Sequence, residues 1–429
     1  MSPHPEATGT ATHPAAYLAL FIPFGVTPGF LSIALAYQLN QAGMSAGAVA
    51  GLIALSYLPH TWKVLWAPLV DTSFTRKRWY LDSNGLSSAG IWGSGVLASG
   101  GHSTAALTAM VFVASLASTL VAMAIDGLMS TSVPDAQRGR ASGWAQAGNL
   151  GGVGLGGGLA LWLMQSAGWG SGTAGALLAV LCLLCGTALW AVHEPPRPAH
   201  TGARPSVVAH ARALAQDVLA LVRSRPGTLA LVICFLPIGS GAAGNMWSVV
   251  ADRWHASADT VAWANGAVSG LVSALGCLAG GWLCDRMDRR TAYCIFGLVL
   301  VSCALAMAAA PRTSLQFVLW LQVYAFGLGL SYAAYSAVVL EAIGRSSGAT
   351  KFSLLASLAN MPIAYVTVLD GWAYERWGAT GMLLADAASG LAGVLVFLLV
   401  VMLTRKRHAI PAQAGIHDRP NAGFPPARE

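Results

Sequence analysis

AALTAMVFVASLASTLVAMAIDGL, residues 105 to 128, is a run of 24 residues with one ionisable side chain, Asp126, close to its end. About 20 mostly apolar residues suffice to carry a helix across a bilayer, so this run reads as a membrane span. It is one of many. The chain has 429 residues, 55% of them hydrophobic and only 10% charged, with a mean hydropathy of +0.60. Soluble domains carry about a quarter charged residues, and a chain this poor in them cannot cover an apolar interior with a polar outside. A water-soluble globule is excluded; most of the surface must face lipid.

Working outward by the same length rule, and breaking at charge clusters and Gly/Pro turns, gives spans 1 to 12. They cover 16 to 38, 46 to 69, 79 to 99, 105 to 128, 141 to 164, 172 to 192, 227 to 249, 259 to 283, 291 to 310, 314 to 341, 352 to 372 and 380 to 403. Lys and Arg mark cytoplasmic loops. With the N-terminus inside, 20 of the 24 basic residues fall in cytoplasmic segments, only Arg253, Arg312 and Arg376 fall outside, and Lys63 lies within span 2. This asymmetry places both termini in the cytoplasm and accounts for the net charge of +7 without nucleic acid. No removable signal peptide is expected, because no Lys or Arg precedes span 1 and no convincing cleavage site follows it.

The expected organisation is a cytoplasmic tail (1–15), a six-helix bundle (16–192), a cytoplasmic linker (193–226), a second six-helix bundle (227–404) and a disordered tail (405–429). Within the linker Val207, Ala211, Leu214, Val218, Leu221 and Val222 recur at helical spacing and predict an amphipathic helix. The seven cysteines all sit in apolar runs and read as small core residues, including the Cys182/Cys185 pair, so no metal or other cofactor is expected.

The loop between spans 8 and 9 reads GGWLCDRMDRR, with Gly281, Asp285, Arg286, Arg289 and Arg290. It resembles the G-x-x-x-D-R-x-x-x-R/K-R/K signature of the major facilitator superfamily. The loop between spans 2 and 3 reads WAPLVDTSFTRKRW, in which Asp71 precedes Arg76, Lys77 and Arg78, with Ala67 and Thr72 replacing the Gly and the first Arg of the signature. An acid followed by a basic cluster in both halves points to an internal duplication. A carboxylate there can accept from the free N–H groups of a neighbouring helix start, so Asp71, Arg76, Asp285, Arg286, Arg289 and Arg290 are candidate latch residues; ordinary positive-inside charges are the alternative. The first half is similar to the peptide/acetyl-coenzyme-A transporter branch, which includes muropeptide permeases of the AmpG type. The likeness rests on Lys63, Trp66, Ala67, Pro68 and Asp71, then Asp126 and Gly127, then Arg138, Gly139 and Gly143. Siderophore importers look like the same branch.

The resemblance implies an all-α integral membrane protein of 12 transmembrane helices in two pseudo-symmetric six-helix bundles, with spans 1, 4, 7 and 10 lining a central cavity. Polar residues at helical spacing on these spans are candidate solute contacts. Ser115, Ser118, Thr119 and Asp126 share one face of span 4; Tyr324, Ser331, Tyr332 and Tyr335 share one face of span 10; and Asn245 follows Pro237 and Gly239 in a span 7 expected to be broken. Core packing explains a tyrosine stripe equally well. Asp126, Lys63 and His60 are candidates for carrying a coupling proton; a structural role against the Arg138 and Arg140 loop is the alternative for Asp126, and snorkelling to the interface that for Lys63. Glu341 and Asp370 fall at span ends, where exposure is the simpler reading, whereas Asp386 lies deeper without explanation. Gly148, Gly152 and Gly156, four apart, suit close helix contact and a pair of helices that slide.

The expected activity is secondary active transport of a polar or amphiphilic solute across a bacterial-type inner membrane. Proton-coupled import of a muropeptide-like compound by a monomer leads, with lipids as the surrounding partners; siderophore import and drug or metabolite export are the alternatives within the superfamily. A membrane-embedded enzyme is disfavoured because neither HExxH nor G-x-S-x-G is present, and a non-transporting receptor is the remaining class.

Overall fold

The computed structural model describes residues 13–44, 46–100, 103–194, 207–343 and 348–408, and all the regular structure among them is helical. Of the expected disordered tail 405–429, residues 405–408 continue the last helix and 409–429 lie outside the described residues, as do residues 1–12 and linker residues 195–206. The linker's second part is a helix, Val207–Arg223.

Each of the twelve stretches read from the sequence falls on helix. By length and hydropathy, seven helices among the described residues are fit to cross a membrane, or eight if the bent pair Ala215–Arg223 and Pro226–Phe235 counts as one span. The smaller number has physical causes. Thr350–Leu403 is counted once but holds 54 residues, about 80 Å of helix against a hydrocarbon core of about 30 Å. It kinks at Gly378, whose φ of 67° and ψ of −165° are not helical, which divides it into spans 11 and 12. Span 3 (Arg76–Ser99) and span 5 (Arg138–Gly154, continued by Leu155–Leu159 and Ala160–Gln165) start on basic residues and are rich in Ser and Gly. Span 2 breaks into Ala46–Trp62, the tight turn Lys63–Leu65 and Ala67–Thr72.

Prolines in span 1 remove backbone donors inside lipid, and hydroxyls one turn on bond back to the prolines' own carbonyls: Thr27 Oγ1 donates to Pro23 O at 2.9 Å and Ser32 Oγ to Pro28 O at 2.6 Å. After Pro28 the helix widens into a π turn at Phe30–Leu35. Span 7 is broken as expected. Arg225–Phe235 ends, and the chain passes through Gly239 and Gly241 at φ 61° and 72° before resuming at Ala242–Met246 and Trp247–Val250. Tyr365 and Tyr293 donate to the stranded carbonyls of Phe235 (2.8 Å) and Ile238 (2.5 Å).

The side chains left outside are apolar, as lipid requires: Trp190, Leu315 and Val368 are 89%, 77% and 73% exposed. Inside, the apolar clusters are not symmetric between the two ends of the molecule. At one end a single cluster joins Ile125, Leu128 and Met129 of span 4 to Leu340, Ile343, Phe352 and Leu355 of spans 10 and 11. At the other end each half keeps its own cluster, around Phe30 and Val111 in the first and around Trp254 and Phe317 in the second. Among the described residues, a buried apolar cluster thus joins the halves at the first end, while the clusters at the second end each stay within one half.

Spans 5 and 8 cross where both are glycine. A Cβ on Gly281 would lie 2.6 Å from Gly143 Cα, and one on Gly270 2.8 Å from Gly154 Cα, so the two backbones touch. Gly148, Gly152 and Gly156 instead lie against the span 1 carbonyls of Leu18, Ile22 and Val26. Those three glycines dock span 5 onto its own half; other glycines form the contact across halves.

Candidate functional site

The sealed end is built from acids set on helix starts. Asp285 accepts the backbone N–H of Gly139 at 2.8 Å and of Arg140 at 3.1 Å, plus Arg140 Nε at 2.8 Å, at the start of span 5. Asp71 accepts the Thr350 N–H at 2.8 Å at the start of Gly348–Leu358 and lies 3.7 Å from Arg76 Nη2. Each acid thus holds a helix of the opposite half, where the unpaired N–H groups and the helix dipole favour a negative charge. Arg289 donates to Asp135 O, and Arg289 and Arg290 pair with Glu341 at 3.1 and 3.3 Å. Arg286 stays on its own helix, with its guanidinium 3.7 Å from the centre of the Trp282 ring. Glu194, which sequence reading passed over, accepts the N–H groups of Arg76 and Lys77 at 2.7 and 3.1 Å and caps span 3.

Above the seal lie two adjoining chambers of 450 and 690 Å³ that share Tyr57, Ser240, Tyr332 and Asn360. The chamber next to the seal is lined by His60, Lys63, Asp126, Gln146 and Asn149 from the first half and by Tyr293, Ser331, Tyr332 and Tyr335 from the second. Asp126, 3% exposed, interacts electrostatically with Lys63. His60 stacks at a tilt on Phe24, 5.5 Å between ring centres. The first half thus brings an opposed pair of charges, and the second brings phenol hydroxyls and flat rings. The chamber further from the seal is lined by Asn245, Trp247, Tyr324 and Thr367; the Asn245 amide donates to Thr367 at 2.9 Å, and Tyr324 meets Trp247 edge to face at 5.2 Å.

His60, Lys63, Asp126, Asn245, Tyr324, Tyr332 and Tyr335 all line the cavity. Ser115, Ser118 and Thr119 do not. They are buried on the side of span 4 toward span 2, where Thr119 accepts Trp66 Nε1 at 3.2 Å, and Ser118 and Thr119 donate to the carbonyls of Ser115 and Leu116 at 2.9 and 2.7 Å. Asp370, read as an exposed helix end, has no exposure at all. Gln146, Asn149, Tyr293 and Asn360 also line the cavity and carry no signal in the sequence reading; Asn149 donates to Gln146 at 3.1 Å, a polar pair within the glycine-rich span 5.

Two helical halves of a membrane protein enclosing a cavity of mixed polarity, sealed at one end, have the build of a solute transporter. Comparison with known proteins gives the same class. The Major Facilitator Superfamily profile matches residues 15–247 and again 229–426, and the chain belongs to that superfamily. It is similar to the anhydromuropeptide permeases of Escherichia coli K12 and O157:H7, 26% identical over 405 residues, covering 89% of this chain and 79% of each relative. Among solved structures, the transporter FucP in the outward conformation superposes with a TM-score of 0.68 at 15% identity, over 90% of this chain and 98% of that one. The human organic anion transporter MFSD10 gives 0.67 at 16% identity, over 89% and 98%.

Proposed function

We propose that the protein imports an anhydromuropeptide-like solute across the inner membrane, driven by the proton gradient, by rocking its two halves about the cavity. The observation that carries this reading is the lining of the cavity. A solute with sugar rings, carboxylates and peptide groups finds flat aromatic faces and hydroxyls on the second half and a Lys63/Asp126 pair on the first. Lys63 supplies the cation for a carboxylate, Asp126 the acceptor for an amide or ammonium group, and Tyr332 and Tyr335 the surfaces for a pyranose ring. The curated relatives add support at 26% identity.

On this reading the latch end is cytoplasmic, in keeping with the distribution of Lys and Arg, and the chain is in its outward-facing state with the Asp71 and Asp285 contacts made. Proteoliposomes with an imposed inward proton gradient test the proposal. Accumulation of labelled anhydromuropeptide, abolished by a protonophore, supports it; gradient-independent or absent uptake contradicts it.

A further inference from the structure

Two acids of the second half, Asp370 in span 11 and Asp386 in span 12, have no part in the cavity lining. Both are buried, Asp370 with 0% and Asp386 with 7% exposure. They act on one another electrostatically. The Tyr324 phenol and the Ala243 backbone, at the break in span 7, face Asp386. Both carboxylate oxygens of Asp370 are buried without any hydrogen-bond partner, and no ion pair among the described residues includes either acid. The other titratable groups facing the pair are the Tyr324 phenol and the Cys303 thiol, neither of them cationic.

Two carboxylates in apolar surroundings with no counter-cation do not both hold charge, and interacting acids bind protons as a unit. We propose that Asp370 and Asp386 hold one exchangeable proton between them and form a proton-binding site behind Tyr324, a lining residue of the 690 Å³ chamber. Tyr324, which lines that chamber and also faces both acids, connects the pair to its water. The proton arrives from water, forms an O–H bond to a carboxylate oxygen and leaves to water again; no other bond changes. Asp126 differs in having a cationic neighbour, Lys63, which the pair lacks. The inference deepens the proton-driven reading by moving the proton from Asp126 to the second half.

Infrared difference spectroscopy of the purified full-length protein, titrated in KCl without solute, tests this apart from any transport assay. A titrating protonated-carboxyl band is expected in the wild type and in Asp126→Asn, and its loss in Asp370→Asn/Asp386→Asn. Should the double variant fail to fold, Tyr324→Phe keeps the ring against Trp247 and is expected to move the midpoint of the band. A band undiminished in the double variant, or an unmoved midpoint in Tyr324→Phe, overturns the assignment. So does loss of the band when NaCl replaces KCl at constant pH, which would make this a metal-cation site.

Discussion

Replacing Asp285 with Asn should open the sealed end. Its two oxygens accept two backbone N–H groups of span 5 and the Arg140 guanidinium while the acid itself is 5% exposed. A backbone hydrogen bond to a charged acceptor contributes about 1.5 kcal/mol net, so the two together give about 3 kcal/mol. The Arg140 side chain, 48% exposed, adds little because solvent screens it. Asn retains one acceptor oxygen and recovers about 1 kcal/mol. About 2 kcal/mol remains, roughly a 30-fold shift in the equilibrium away from the sealed arrangement. Spin labels on Ala136 and Ala342, one on each half at the latch end, report it as a distance distribution by electron–electron resonance. The longer-distance population should rise in Asp285→Asn. An unchanged distribution in a variant with wild-type thermal stability would refute the idea that this carboxylate holds the halves together.

Asp71→Asn, which weakens the hold on Thr350, should shift the same distribution in the same direction, and combined with Asp285→Asn the two shifts should add, since the contacts share no partner. Gly281→Val places a side chain where Gly143 Cα stands 2.6 Å from the Cβ; overpacking of about 1–3 kcal/mol should lower the melting temperature in detergent, while Gly266→Ala, at a site with open space, should leave it unchanged. Lys63→Met and Asp126→Asn should each destabilise by leaving the other charge buried without its partner, and the double variant should recover part of the loss. A thermal-melting double-mutant cycle measures that recovery, expected at about 1–3 kcal/mol.

Hydropathy and length made the helical membrane fold legible, because a chain with so few charges has only lipid for its solvent. The latch acids were legible too, since Asp71 and Asp285 stand at the same place before a basic cluster in each half. Their partners were not, because the groups that Asp71 and Asp285 grip include backbone N–H groups, which leave no side-chain signature. Helical spacing found the shared face of Ser115, Ser118 and Thr119 but could not say which neighbour that face meets; two of these hydroxyls bond to their own helix, the usual recourse of a hydroxyl in an apolar span. The same spacing on span 10 gave Tyr324, Tyr332 and Tyr335, which line the chambers. Asp370 was misjudged because its helix continues past it to the kink at Gly378 instead of ending at the membrane surface.

The central claim is that the two ends of one cavity open by turns. Two label pairs in the same reconstituted protein read this directly: Ala136 with Ala342 at the latch end, and Ala42 with Ser257 at the other. Adding anhydromuropeptide at low pH should lengthen the first distance while shortening the second. Distances that stay fixed, or that lengthen together, would contradict the account.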